Sequence, residues 1–316
     1  MKTPLLKIRS LKFAGAFIAS ALLFSCGDQK KKESKTTAEA SQDTISESAS
    51  FGGLALYTLR DAMAEDAKGT LKTVANDGYL NIEAAGYDNG LFYKMTPADF
   101  KSFAEGIHLH PVSTHQGSVT LENADKMIAD VKAAGFEYFV IPVPPMGMFT
   151  FDAESMTMGM DGTPEKLANI LSTLGEKCHE AGLKLVYHNH DFEFKKGEDG
   201  ITLMDYLLEN TDPELVNFQM DLYWVTKAGA DPVAYFEKYP GRFKLWHVKD
   251  MDDEGRFAPV GEGTIDFARI LAEKEKSGMQ YYFVEQDQTF NHTPLEAIKI
   301  SHKGLEELGL EELGFN

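Results

Sequence analysis

The 316-residue chain is poor in cysteine and short of positive charge, and no glycine-rich phosphate loop follows its first strand. Only Cys26 and Cys178 are present, too few for the disulfide framework of a small exported domain, so the fold must rest on an apolar core. Lysine and arginine total 31 against 49 aspartate and glutamate, a formal charge of −18. A surface that acidic repels phosphate backbones and argues against a nucleic acid partner. After the first apolar run, Leu59-Arg60-Asp61 enters a helix directly, which excludes a dinucleotide cradle. No arginine cluster accompanies the strand ends, which argues against a phosphorylated substrate.

What is present begins with an export pattern. Lys2, Lys7, Arg9 and Lys12 precede the apolar segment Phe13 to Phe24, too short for a membrane span, so residues 1–25 read as a signal peptide. Leu23-Phe24-Ser25-Cys26 resembles the lipobox of bacterial lipoproteins, which implies lipidation of Cys26 and a lipid anchor as the sole membrane contact. The protein is then expected in the periplasm or at the cell surface. Removing the signal, with four basic and no acidic residues, takes the charge to about −22. Residues 26–50 are Lys, Glu, Ser, Thr and Ala with almost nothing to bury, and read as a flexible tether. Residues 51–316 are left as the folded domain.

From Phe51 onward, short apolar runs alternate with amphipathic stretches about eight times. Expected strands are 53–58, 79–84, 107–115, 138–143, 184–188, 217–221, 244–248 and 281–285. Expected helices are 60–76, 96–105, 124–134, 164–181, 203–210, 232–239, 267–277 and 294–308. The repeated β/α unit predicts an α/β fold with a parallel sheet, and eight units predict closure into a (β/α)8 TIM barrel. Thr163-Pro164, Asp231-Pro232 and Thr293-Pro294 mark helix starts, and Gly182 a helix end. Cys178 falls within a helix and reads as packing.

Catalytic groups of such barrels sit where strands end. Those positions hold Glu83, His115, His188, His190, Asp221, His247, Lys249 and Glu285. His188 and His190 are two apart in LKLVYHNHDFEF and face one side, with Asn189 opposite. His108 and His110 read better as core or loop residues. Two carboxylates and several imidazoles at one mouth suit a divalent ion such as Mn, Zn, Co or Mg. Solvation of a barrel mouth is the plainer explanation of the same pattern. The tract MGMFTFDAESMTMGM after the fourth strand reads as a long adaptable loop over the mouth. Tyr57, Tyr87, Phe149, Tyr223, Trp224 and Trp246 offer ring faces for a sugar, although most aromatics on barrel strands are core.

GLALYTLRDAM, HNHDFEF, MDLYWVTKAGADPVAYFEKYPGRFKLWHVKD and APVGEGTIDF resemble the xylose isomerase-like TIM barrels, a superfamily of sugar phosphate isomerases and epimerases. The resemblance implies Asp221, His247 and Glu285 as metal ligands and Lys249 near substrate oxygens. It places His188 where ketose epimerases carry a ligand glutamate that shares proton transfer with the last-strand glutamate. Glu285 then needs another partner, for which Glu193, His190 and Lys249 are available. The expected catalytic set is Glu285, Lys249 and Glu193, and the metal set is His188, Asp221, His247 and Glu285. Glu83, His115, His190 and Trp224 are expected to bind a small carbohydrate.

The reading that follows is a metal-dependent isomerase or epimerase of a sugar or keto-sugar acting through an enediolate. Tyr-His-x-His at the fifth strand also resembles inosose dehydratases, which makes a keto-sugar dehydratase or lyase the alternative. A non-catalytic, surface-tethered sugar-binding barrel is the third. An abasic-site endonuclease shares the fold but conflicts with the charge and the export signal. A homo-oligomer is compatible with the sequence.

Overall fold

A computed structural model describes residues 52–309. The signal segment 1–25, the lipidation residue Cys26, the tether 26–50 and residues 51 and 310–316 lie outside the described residues. Among those described, no helix is long and apolar enough to cross a membrane.

Eight strands carry the fold: β1 Gly52–Ala55, β2 Asn81–Ala84, β3 His110–His115, β4 Tyr138–Ile141, β5 Lys184–His188, β6 Val216–Asp221, β7 Phe243–Val248 and β8 Tyr281–Val284. They close in chain order, β8 pairing with β1, and every pairing is parallel. The expected barrel is therefore the observed one. Around it run α1 Arg60–Asn76, α2 Pro97–Gly106, α3 Ala124–Ala133, α4 Pro164–Ala181, α5 Leu203–Asn210, α6 Leu222–Lys227, α7 Pro232–Lys238, α8 Phe267–Leu271, α9 Lys274–Ser277 and α10 Pro294–Glu307.

The helices start where hydroxyls and carboxylates satisfy their free amides. Thr96, Thr163, Asp231 and Thr293 each accept from an amide of the first turn with proline just inside, a geometry typically contributing about 1 kcal/mol per cap. Thr293 and Glu296 complete a reciprocal capping box. Gly182 ends α4 at φ 78°, a left-handed turn that glycine adopts without a side-chain clash. Cys178 is a free, fully buried residue of α4, as its helical position implies.

Four expectations need correction. The first strand stops at Ala55, and Leu56–Leu59 is a single 3-10 turn leading into α1. The third begins at His110, because Ile107 still caps α2 and His108 takes φ 62°. The expected helix 267–277 is two short ones, α8 and α9. The methionine-rich tract is a paired antiparallel ribbon, Phe149–Asp152 with Thr157–Met160, instead of an open loop. Paired backbone satisfies its own amides, which the methionines alone did not reveal.

Inward residues follow the period of two along each strand. Ala55, Val112, Val140, Val186, Leu245 and Phe283 form an apolar plug inside the barrel. Two positions onward from four of these stand His188, His247, Glu285 and Thr114, and a polar layer replaces the plug. The GEG loop is tied to this level by Asp250, the residue after Lys249. Its carboxylate accepts from the amides of Gly261, Gly263 and Ile265 at 3.0, 3.0 and 3.1 Å. A Cβ on Gly263 would collide with that carboxylate, which is why the motif needs glycine there.

Candidate metal centre

Asp221, His247 and Glu285 bring their ligating atoms together at the ends of β6, β7 and β8, with ligand atoms all within 4.8 Å of one another. Asp221 pairs with His247 across the β6–β7 ladder. Asp221 also caps α6: its Oδ1 accepts from the amides of Tyr223 and Trp224, both at 3.0 Å. That fixes the carboxylate with Oδ2 turned to the site. Asn189 locks the neighbouring strand by accepting from the Asp221 amide at 3.1 Å, which is the work of the middle residue in His-Asn-His.

The orientation of His247 is set from below by Glu83. His247 Nε2 donates to Glu83 Oε1 at 2.5 Å. The other nitrogen, Nδ1, then faces Glu285 Oε2 at 2.9 Å and Asp221 Oδ2 at 3.7 Å. Neither His247 Nδ1 nor Asp221 Oδ2 takes part in a well-directed hydrogen bond, although both are buried. Lone pairs converging this closely need a positive charge beside them, supplied by a proton, by the Lys249 ammonium or by a metal ion. Burial works against the His247 imidazolium, but Glu285 and Glu83 hold its pKa well above the usual imidazole value.

His188 joins the group from β5. Its Nδ1 donates to Gln219 Oε1 at 3.0 Å, and its Nε2 points toward Asp221 Oδ2 at 3.8 Å. Gln219 has its amide end on Glu83 Oε2 at 2.9 Å, so its carbonyl must be the acceptor for His188. Two overlapping groups could hold an ion, Asp221, His247 and Glu285 in one and His115, His188 and His247 in the other, and carboxylate and deprotonated imidazole donors suit zinc, manganese or cobalt. The His188 and His247 rings are 4.7 Å apart, so the fifth-strand histidine stands within the cluster that its position implied.

Lys249 lies two residues beyond His247 and is buried. Its Nζ is 2.9 Å from Asp221 Oδ2, 2.5 Å from Glu285 Oε2 and 2.7 Å from Asp287 Oδ2. Burial opposes its charge, but the three carboxylates, Asp221 first, hold its pKa well above the ordinary lysine value. It is therefore a fixed ammonium and a hydrogen-bond donor, not a base.

Two further expected site residues are held by partners of their own. Glu83 was expected to bind substrate, yet it is buried and accepts from Ser113 at 2.6 Å and Gln219 at 2.9 Å, with His115 at 2.9 Å and His247 also on it. Burial disfavours its charge, but His115 and His247 hold its carboxyl well below the usual range. Such a carboxylate orients histidines that face the other way. Glu193 was expected to take part in proton transfer. Its carboxylate instead accepts from the Tyr187 hydroxyl at 2.8 Å and the His190 amide at 2.9 Å. Tyr187 and His188 are adjacent on one strand and face opposite sides, so Glu193 is drawn to the side away from the ligands.

Burial pushes Glu193 up to about 8. A carboxyl whose folded pKa lies above its unfolded value favours folding at low pH and loses that contribution as pH rises toward the folded value. The window here runs from about 4.5 to about 8. Glu193→Gln, which keeps a neutral acceptor in place, is expected to match wild type near pH 5 and to exceed it by roughly 2–4 kcal/mol above pH 8. Urea unfolding at both pH values checks this, and parallel curves would contradict it.

A cavity of about 300 Å³ opens above the cluster, lined by Tyr57, His115, His188, His190, Glu285 and Asp287 among others. Burial and the nearby Lys249 push His190 down to about 4, and its Nδ1 has no hydrogen-bond partner. The Trp224 ring stands 5.5 Å from that of His190, and its Nε1 is also unpartnered. Trp246, by contrast, is core, stacked on Phe236 at 5.1 Å. Tyr87 is held by Asp130 at 2.6 Å. Ser113, Gln219 and Asp287 belong to the site and were missed. Stepping two residues back from Asp221, or forward from Glu285, along the period of the strand would have found the last two.

A closed eight-stranded barrel with a buried carboxylate and imidazole cluster at the strand ends defines a barrel able to hold a metal ion at its mouth. Residues 120–307 match the family described as xylose isomerase-like TIM barrel, and the chain belongs to that family. An inosose dehydratase of Lacticaseibacillus casei is 32% identical over 143 residues, which is 39% of this chain and 47% of that protein. The match thus spans about half the length of that relative. A sugar phosphate isomerase/epimerase from Parabacteroides distasonis superposes with a TM-score of 0.69 at 26% identity, over 86% of this chain and 99% of that one. The IolI protein, whose structure has a bound zinc atom, superposes at 0.63 with 16% identity over 84% and 99%, a likeness of fold.

Proposed function

We propose that this protein is a metal-dependent enzyme that removes a proton beside the ketone of a sugar derivative and then expels the oxygen on the next carbon. The observation that carries the metal dependence is the convergence of Asp221, His247 and Glu285 at the buried strand ends, with ligand atoms all within 4.8 Å of one another. Asp221, His247, Glu285 and His188 would hold the ion, which when bound supplies Lewis-acid polarisation of the ketone oxygen. The relatives named as inosose dehydratase and as sugar phosphate isomerase/epimerase support a sugar-like substrate.

The protein's own groups divide the remaining work. Glu285 meets His247 and Lys249 through Oε2, which leaves Oε1 to accept the proton from carbon. Lys249 stays an ammonium and donates a hydrogen bond to a substrate oxygen, assisting its departure as the C–O bond breaks. Epimerisation requires a second base on the opposite face of the carbon, and Glu193 is held elsewhere by Tyr187 and His190. That favours elimination. The free Nδ1 of neutral His190 favours a second reading, in which it returns the proton and the product is a stereoisomer. The export pattern and Cys26 place this activity, in the same proposal, on a lipid-anchored protein outside the cytoplasm.

Incubation of zinc- or manganese-loaded protein with keto-sugars in D₂O tests the reading. Elimination gives loss of water or alcohol and an unsaturated ketone, whereas epimerisation gives a deuterated stereoisomer. Retention of every C–H bond beside the ketone, across a panel of keto-sugars, would remove both.

A further inference from the structure

The catalytic cavity has a larger neighbour. At about 300 Å³ the first lies at the small end of the range for ligand sites, ~300–1,000 Å³, and suits one sugar ring. The second, about 610 Å³, lies between the start of α1 and the segment joining β8 to α10. Asp287 lines both, so the two are adjacent. Tyr57 of the first cavity and Arg60 of the second stand together at the divide, the guanidinium 4.8 Å from the ring centroid.

The chemistry of the second cavity is specific. Gln286 is only 4% exposed and lines it. Its amide end donates to Gln288 O at 3.1 Å and its backbone N–H to Thr58 Oγ1 at 3.0 Å, while its Oε1 is buried without a partner. That oxygen has almost no surface of its own, so the polar groups that can meet a ligand are the side chains around it, Gln288, Thr289 and Thr293 among them. Asp61, Glu65 and Asp287 add acidic oxygens. The one cation on the wall, Arg60, already donates to the backbone oxygens of Tyr57 and Asp287. The wall therefore repels phosphate or carboxylate and can accept from hydroxyl groups, and Leu295, 37% exposed, offers an apolar surface for ring C–H groups.

We infer that this second cavity is a subsite for the group attached to the reacting ring, so that the substrate is a glycoside whose attached part is a neutral, hydroxylated ring, not a free monosaccharide. The inference rests on the keto-sugar reading of the metal centre and adds the substrate class. In the elimination reading, the leaving oxygen is then the glycosidic one: its bond to carbon breaks while the Lys249 ammonium donates it a hydrogen bond, it takes a proton from solvent water, and the attached group departs as an alcohol. Lys249 is 2.7 Å from Asp287, the residue the two cavities share.

The test uses the full chain loaded with manganese and three probes: 3-keto-glucose, its methyl glycoside and 3-keto-trehalose. Affinity is measured by calorimetry, which does not depend on turnover. The disaccharide is expected to bind at least about tenfold more tightly than the monosaccharide. Ala62→Phe, which fills the second cavity, should abolish that advantage and leave monosaccharide affinity within about twofold. Glu65→Trp, on the exposed rim, is the second blocking variant should the first not fold. Equal affinities for all three probes in wild type, or equal losses for all three in the blocking variants, would overturn the subsite. Deuterium exchange reports separately: no exchange with any probe would remove the keto-sugar chemistry, and the affinities would still decide the subsite.

Discussion

Glu285→Gln is expected to lower deuterium exchange into a keto-sugar by at least about 100-fold and to reduce divalent metal affinity by roughly 10–100-fold, with the barrel still folded. The substitution keeps the shape of the side chain and removes the charge that faces His247 Nδ1 at 2.9 Å and Lys249 Nζ at 2.5 Å. It also replaces one lone pair of the cluster by an amide that cannot take up a proton from carbon. His188→Ala separates the two parts of that loss. It should weaken metal affinity similarly while leaving Glu285 in place, so that excess metal restores much of the exchange. Elemental analysis of purified wild type and both variants gives the decisive comparison. Unchanged metal content in both would mean that the ion, if any, is held elsewhere.

Glu83→Ala is expected to destabilise the fold by about 3–5 kcal/mol, because it strips a buried charge from four partners at once. Ser113, Gln219, His115 and His247 all direct a polar hydrogen to this carboxylate, and of these only His115, at the cavity, has solvent to turn to. Glu83→Gln should cost less, since the amide keeps an acceptor for some of the four. It should nonetheless weaken metal binding, because His247 would no longer be held with Nδ1 toward Asp221 and Glu285. Urea midpoints and metal titrations on the two variants test both statements. A Glu83→Ala protein within about 1 kcal/mol of wild type would show that the carboxylate is not the anchor of this network.

The barrel was legible because each strand and helix announces itself locally, through apolar runs and through Thr-Pro or Asp-Pro starts. Asp221, His247 and Glu285 were legible because each is the first ionisable residue after such a run. Side-chain partners were not legible, because they depend on which residues of different strands share a level in the barrel. Glu83 lies far from His247 in the chain but next to it in space, and only the closed sheet reveals that it supports a ligand. The partners of Glu193 were hidden for the complementary reason. Its acidity and its place after the histidines pointed to the mouth, whereas a hydroxyl on the opposite face of the same strand captured it. Gln219 and Ser113, neutral and inside apolar runs, offered no chemical signal beyond their inward register.

The two levels inside the barrel, an apolar plug below and the polar cluster above, are written on the same strands two residues apart. Val186 precedes His188 in this way, Leu245 precedes His247 and Phe283 precedes Glu285. A replacement at the upper position changes which groups face the substrate while the residue beneath continues to fill the barrel. New chemistry can then be introduced by exchanging upper-level residues singly, without refounding the scaffold. His188 stands at that upper level on the cavity wall, with Val186 beneath it in the plug.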